Sequence, residues 1–169
     1  NEIRLSISIT EPNAGSDATN VQTKAIREGS EWVLNGAKTF ITNGCIADYI
    51  LVTARTDFQQ KNAISIFIVP GKTPGLTARP IDKNCWYSSD TALLSFDNCR
   101  IPTDHLLGSL HGGLDLLVQN LNEGRITFAA FCHGIAEGAF DGTLEYIHQR
   151  EAFGKKLAEF QNTQFKMAE

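Results

Sequence analysis

A chain of 169 residues is long enough for one full domain and part of another, with roughly two-thirds of the unfolded surface hidden on folding. Apolar residues make up 42% and charged residues 20%, which excludes a disordered chain. The formal charge of −4 excludes a phosphate-backbone binder, which needs a concentrated excess of Lys and Arg.

The chain enters at Asn1-Glu2 in a strand-like run, and short runs rich in Ile, Val, Thr and Phe then recur between turn signals. They cover residues 5–9, 21–27, 31–35, 39–43, 49–56, 63–69 and 92–97, and several alternate with period two. Asn35-Gly36, Asn43-Gly44 and Pro74-Gly75 punctuate them. Many short strands at this spacing predict an antiparallel sandwich or barrel. Residues 63–69 are apolar except for Ser65, as expected of a strand buried on both faces.

The period changes after residue 108. Leu114, Leu117, Val118 and Leu121 stand at i, i+3, i+4 and i+7, a helical stripe. From Ile126 to Ala136 the run is apolar nearly all round, which predicts enclosure by other helices. No proline occurs between Gly113 and Arg150, so one helix of about 55 Å can cover the stretch. Gly134, Gly138 and Gly142 fall on one face, where another backbone could approach closely. After an irregular link around Phe153-Gly154-Lys155, a second helix is expected near Gln161. The fold class is therefore α+β: an antiparallel β-barrel or sandwich over residues 1–108, then the start of an all-α bundle over 109–169. Both chain ends read as internal to a longer polypeptide.

Several local patterns carry no chemistry. Cys45, Cys85, Cys99 and Cys132 lack metal or redox spacing and are expected to be free thiols in a reducing compartment. Gly71-Lys72-Thr73 lacks the first P-loop glycine and reads as a turn. No G-x-G-x-x-G or G-x-S-x-G occurs, and His105, His111, His133 and His148 have no metal spacing. Neither a signal peptide nor an apolar run of membrane-spanning length is present.

Four stretches stand out together. They are the run from Ile9 through Thr10-Glu11-Pro12-Asn13-Ala14-Gly15-Ser16 to Asp17; Asn35 through Phe40-Ile41-Thr42 to Gly44; Ser88-Ser89-Asp90-Thr91 with Phe96-Asp97 and Arg100-Ile101-Pro102; and Arg150-Glu151-Ala152-Phe153-Gly154 with Leu157 and Gln161. Each alone reads as a hairpin or link. In this order and spacing they resemble the acyl-CoA dehydrogenase family, over essentially the whole chain: its middle β-domain and the opening helices of its C-terminal domain.

The resemblance implies an FAD enzyme that forms trans-2-enoyl-CoA from a saturated acyl-CoA, passing a hydride to flavin N5. It implies cofactor contacts from Ile7, Ile9, Thr10, Ser16, Phe40, Ile41 and Thr42. Arg150, Ala152, Phe153 and Gln161 match residues that reach the FAD of a neighbouring subunit, and Ser16, Ser89, Asn122 and Arg125 match substrate contacts. Phe40 stands where the family often has Trp. The implied partners are acyl-CoA, an electron-transferring flavoprotein and further copies in a homotetramer, without nucleic acid or membrane insertion. The implied setting is soluble and intracellular, in bacterial cytoplasm or mitochondrial matrix. The same fold also serves acyl-CoA oxidases, flavin monooxygenases and enoyl-CoA reductases, and a non-catalytic binding or scaffold role stays open.

No catalytic residue is assigned to this chain. The resemblance places the proton acceptor downstream of residue 169 in most members, and in a minority on the long helix just before Arg125. That position is Gly124 here. Glu123 is one residue away, about 100° around the helix. By itself the chain is expected to be inactive.

Overall fold

The computed structural model describes residues 3–169, so the strand-like entry at Asn1-Glu2 lies outside the described residues. Two compact units form, one running to Val118 and the other spanning Gln119–Glu169.

The first unit is built on one sheet: β1 (Leu5–Ser8), β2 (Lys24–Glu28), β3 (Glu31–Thr42), β4 (Tyr49–Arg55), β5 (Ile64–Pro70), β6 (Leu76–Pro80), β7 (Thr91–Pro102) and β8 (Leu106–Leu107). The order is β6-β7-β3-β2-β4-β5-β8, with β1 added against β4. Most pairs are antiparallel, but β1 and β2 both run parallel to β4, so the sheet is mixed and open where the sequence pattern predicted an antiparallel barrel or sandwich. Those pairings connect strands far apart in sequence, which alternation cannot reveal. β5 is buried along almost its whole length, as its apolar run predicted. Phe67 and Trp32 meet in the core with ring centroids 5.1 Å apart.

Asn35-Gly36 is not a turn. It lies within β3, which runs unbroken from Glu31 to Thr42 against β7. The pairing shifts twice. Between Leu34 and Gly36 the extra residue lies on β7, where Asn98 takes a φ of 49°; between Lys38 and Ile41 it lies on β3, where Phe40 takes a φ of 58°. The first irregularity is closed by the Asn35 side chain, which accepts from the Asn98 backbone N–H at 2.8 Å. Gly36 itself has a φ of 151°, and a Cβ there would stand 2.6–2.8 Å from Thr23. The two shifts cancel, so both ends of the β3–β7 ladder share one register while the middle is offset by one residue.

α1 (Gly113–Gln149) has the expected extent, 37 residues and about 55 Å. The second unit contains most of it, a hairpin of β9 (Glu151–Ala152) with β10 (Lys155–Lys156), and α2 (Gln161–Ala168). Ile126, Phe128, Phe131 and Ile135 are exposed, and among the described residues of the second unit no element supplies the predicted helical cover. A Cβ at Gly134, Gly138 or Gly142 would likewise meet nothing. All four cysteines are free. Among the described residues no helix is long and apolar enough to cross a membrane.

Candidate functional site

β1 reverses the usual pattern of a half-buried strand. Its serines, Ser6 and Ser8, point inward, while Leu5 and Ile7 are 59% and 40% exposed. The exposed pair borders a groove of about 330 Å³ lined by Leu5, Ser6, Ile7, Ile9, Thr10, Phe40, Ile41, Thr42 and Asn43. The groove therefore unites six positions that the sequence pattern singled out: Ile7, Ile9, Thr10, Phe40, Ile41 and Thr42. Its chemistry is an apolar wall with a few hydroxyl groups and no carboxylate.

The second β3 irregularity shapes this wall. A left-handed phenylalanine backbone is rare and costs energy, and Phe40 is 66% exposed. The insertion turns the ring outward onto the groove while Ile41 stays buried beneath. The two sides are pinned together by Ser6 Oγ donating to the Thr42 carbonyl at 2.7 Å and Thr39 N–H donating to the Thr10 carbonyl at 2.9 Å.

Behind the wall lies a group that sequence reasoning missed. Lys38 is fully buried, and its ammonium donates to Glu11 Oε1 at 2.8 Å, Thr53 Oγ1 at 2.9 Å and the Ile9 carbonyl at 3.1 Å. Glu11 also accepts from the backbone N–H groups of Gln22 at 2.6 Å and Thr23 at 2.9 Å. Burial pushes the Lys38 pKa down to about 8 against the pull of Glu11. Burial also works against the Glu11 carboxylate, but the Lys38 charge and the hydrogen bonds outweigh it and hold the carboxyl below its ordinary value. Both residues sit inside motifs quoted above, yet a lone lysine between Ala37 and Thr39 gives no sign of burial.

Because the Glu11 pKa is lower in the folded chain, its stabilisation is fully present above the unfolded value of 4.5. It is lost as pH falls through the folded value, when protonation leaves a buried ammonium without its counter-charge. Glu11→Gln is expected to flatten this acid limb, measured as thermal midpoint between pH 3 and 6. An acid limb unchanged by the substitution would remove Glu11 as its source.

The other expected contacts lie elsewhere. Ser16 is exposed just beyond a tight turn in which Glu11 and Ala14 exchange two backbone hydrogen bonds. Ser89 sits in a loop closed by Lys83, whose ammonium donates to the carbonyls of Trp86 and Ser89. On α1, Arg125 donates to the Asn122 side chain at 3.0 Å, one turn apart on an exposed face. Ser16 and Ser89 do not line the groove.

Arg150 immediately precedes the hairpin of the second unit, Ala152 and Phe153 lie within it, and Gln161 opens α2. The link expected to be irregular is a two-residue turn in which Phe153 and Gly154 have φ of 54° and 77°, the signs a type I′ turn demands. The Arg150 carbonyl accepts from Leu157 N–H at 2.9 Å and closes its base. Phe153 is 96% exposed at the tip, an aromatic at a position that favours Asn or Gly. Phe153→Asn is expected to raise stability by about 0.5–1 kcal/mol by relieving the left-handed backbone. Urea unfolding checks this, and a loss of stability would show that the ring contributes more than the strain costs.

Residues 6–99 match the family model described as acyl-CoA dehydrogenase, middle domain, and residues 111–169 match the acyl-CoA dehydrogenase C-terminal domain. A probable acyl-CoA dehydrogenase of Bacillus subtilis is 45% identical over 167 residues, 97% of this chain and 44% of that protein. The acyl-CoA dehydrogenase structure from Geobacillus kaustophilus superimposes with a TM-score of 0.94 at 41% identity, covering 97% of this chain and 44% of that one. A glutaryl-CoA dehydrogenase of Mycobacterium smegmatis, solved in complex with FADH2, gives a TM-score of 0.88 at 38% identity, covering 97% and 42%. The chain spans less than half the length of the curated relatives it matches.

Proposed function

The chain belongs to the acyl-CoA dehydrogenase family, and on that premise we propose that it supplies the flavin-holding part of an FAD-dependent enzyme that dehydrogenates an acyl-CoA at Cα–Cβ. The observation that carries this reading is the groove between β1 and the kinked end of β3. Its Leu5, Ile7, Ile9 and Phe40 give an apolar slot, and Thr10 and Thr42 supply hydroxyl groups. That donor set suits an isoalloxazine, which needs flat apolar walls and a few hydrogen-bond donors to set its orientation and electronics. The mycobacterial relative with bound FADH2 supports the choice of cofactor.

When bound, FAD supplies the acceptor for the β-hydride. The residues of this chain do the holding. Ile7 and Phe40 would exclude water from the flavin, and Thr10 and Thr42 would supply hydrogen bonds to its polar atoms. The Ser6 and Thr39 hydrogen bonds keep the two sides at a fixed width. Ser16 and Ser89 are assigned to the CoA arm, and Asn122 and Arg125 to the acyl side. Arg150, Ala152, Phe153 and Gln161 are assigned to the FAD of a neighbouring copy, consistent with a bulky aromatic held at an exposed hairpin tip. A boundary near residue 108 between β-domain and helical domain belongs to the same reading, as do a tetrameric assembly and electron transfer to a flavoprotein. With no carboxylate in the groove, these residues position the reactants and none is assigned to abstract the α-proton.

The direct test is anaerobic addition of saturated acyl-CoA thioesters to the full-length, FAD-loaded protein. Bleaching of the flavin absorbance is expected, and rapid reoxidation by oxygen would reassign it as an oxidase. No bleaching with any chain length or branching would overturn the reading. At residue level, Thr42→Val is expected to slow flavin reduction about ten-fold, as for a lost hydrogen bond of about 1.4 kcal/mol. An unchanged spectrum and reduction rate would remove Thr42 from the site.

A further inference from the structure

We propose that Lys38 and Glu11 form a positioning pair that sets the groove wall, making flavin affinity depend on the protonation of Lys38. This inference rests on the flavin reading of the groove. Three successive carbonyls of the wall segment are taken up by donors behind it: Ser8 by the Thr53 hydroxyl at 3.3 Å, Ile9 by Lys38 at 3.1 Å and Thr10 by Thr39 N–H at 2.9 Å. Lys38 joins two of these links, because the Thr53 hydroxyl that reaches Ser8 also accepts from Lys38. Glu11, at the end of the same segment, ties it to residues 22 and 23.

A buried ion pair is a weak source of stability, since well-packed apolar residues of equal volume do as well or better. What the pair adds is direction. An ammonium has three N–H donors, and Lys38 has three acceptors arranged around it. The neutral amine has only two. On deprotonation one acceptor is released, and if the Thr53 hydroxyl turns to donate to the amine, the Ser8 carbonyl loses its partner instead. Where the released acceptor is the Ile9 carbonyl, or the turned Thr53 hydroxyl leaves the Ser8 carbonyl, a carbonyl of the wall is freed and residues 8–10 lose their fixed register.

The surroundings leave Lys38 as the group that titrates on the alkaline side. Thr53 of β4, Ser8 and Ile9 of the wall, Gln22 and Thr23, and its cross-strand partner Leu94 on β7 are all neutral. Among the described residues Glu11 is the one charge that pairs with it, and its depressed pKa keeps it ionised throughout this range. With the Lys38 pKa near 8, the loosening falls at mildly alkaline pH.

The test measures FAD dissociation constants of the full-length protein between pH 6 and 9.5, alongside the thermal midpoint of the flavin-free form. Wild type is expected to weaken about ten-fold as pH rises through about 8. Lys38→Met/Glu11→Gln removes both charges together and so avoids an unpaired buried ion. It is expected to fold, to bind FAD about ten-fold more weakly at pH 7 and to show no alkaline step. Thr53→Val leaves the charge pair intact and only two acceptors around Lys38, which the neutral amine can still satisfy. It is the second arm, with about a five-fold weaker affinity and a reduced alkaline step. Wild-type affinity and pH profile in the double variant, or an unchanged affinity in Thr53→Val should the double variant not fold, would overturn the proposal while leaving the flavin site standing. A wild-type protein that binds no FAD at any pH would overturn both.

Discussion

Replacing Phe67 with alanine is expected to destabilise the β-domain by about 3–5 kcal/mol, as for other buried aromatics cut back to a methyl group. Phe67 is completely buried on β5, with its ring tilted 59° against that of Trp32. Its neighbours lie on a regular β4–β5 ladder and cannot collapse into the space without breaking that pairing. Domains of this size have about 5–15 kcal/mol in hand, so the loss is a large part of the whole. The thermal midpoint should fall by roughly 10–15 °C, and Phe67→Leu should recover most of it. Circular dichroism melts decide the matter. A cost below about 1 kcal/mol would mean that the site repacks and that Phe67 is not central to the core.

The second large effect is expected at Gly36. An added Cβ would stand 2.6 Å from Thr23 Oγ1 and 2.7 Å from its Cα, on a backbone whose φ of 151° side chains rarely adopt. Thr23 cannot retreat easily, because its N–H is held by the buried Glu11 carboxylate. Strained backbone and overpacking together make Gly36→Ala cost about 2–4 kcal/mol. Because the displaced residue belongs to the network behind the groove, flavin retention should fall with stability. Urea unfolding and retained flavin absorbance after gel filtration measure the two effects. A variant with wild-type values for both would show that β2 and β3 separate freely at this point.

Much of the fold was legible from the residues, because a half-buried strand and an amphipathic helix leave different periods. The strand at residues 63–69 and the long helix were read with nearly their observed limits. Asn35-Gly36 misled because that dipeptide is also the strongest signal of a hairpin turn. Here Asn35 caps a distortion on the facing strand and Gly36 admits close approach by Thr23. β6 was missed because Leu76–Pro80 has little alternation and ends in proline, as an edge strand can. β7 was cut short at residue 97, where the polar Asp97-Asn98 pair marks its irregularity.

The site was legible in part. Six groove positions came from motif resemblance, and a physical cue was also present: Leu5 and Ile7 alternate with Ser6 and Ser8, but nothing local says which face points inward. The burial of Lys38 depends on Glu11, Thr53 and the Ile9 carbonyl, brought in by three separate segments. No local pattern encodes such a meeting, and ordinary propensity places a lysine in water.

The cancelling shifts along β3 and β7 carry a consequence for how sequences of this family can change length. Deleting the extra residue at 39–40 alone would carry the middle register on to Ile41 and Ala92, leaving those partners and the faces they present unchanged. Deleting the extra residue at 97–98 alone would do the same at the other end of the ladder, keeping Leu34 opposite Cys99 and Gly36 opposite Phe96. Each deletion straightens its own irregularity and leaves the other in place. Gaps in an alignment of relatives should therefore occur at either place without the other, although the two lie on one ladder.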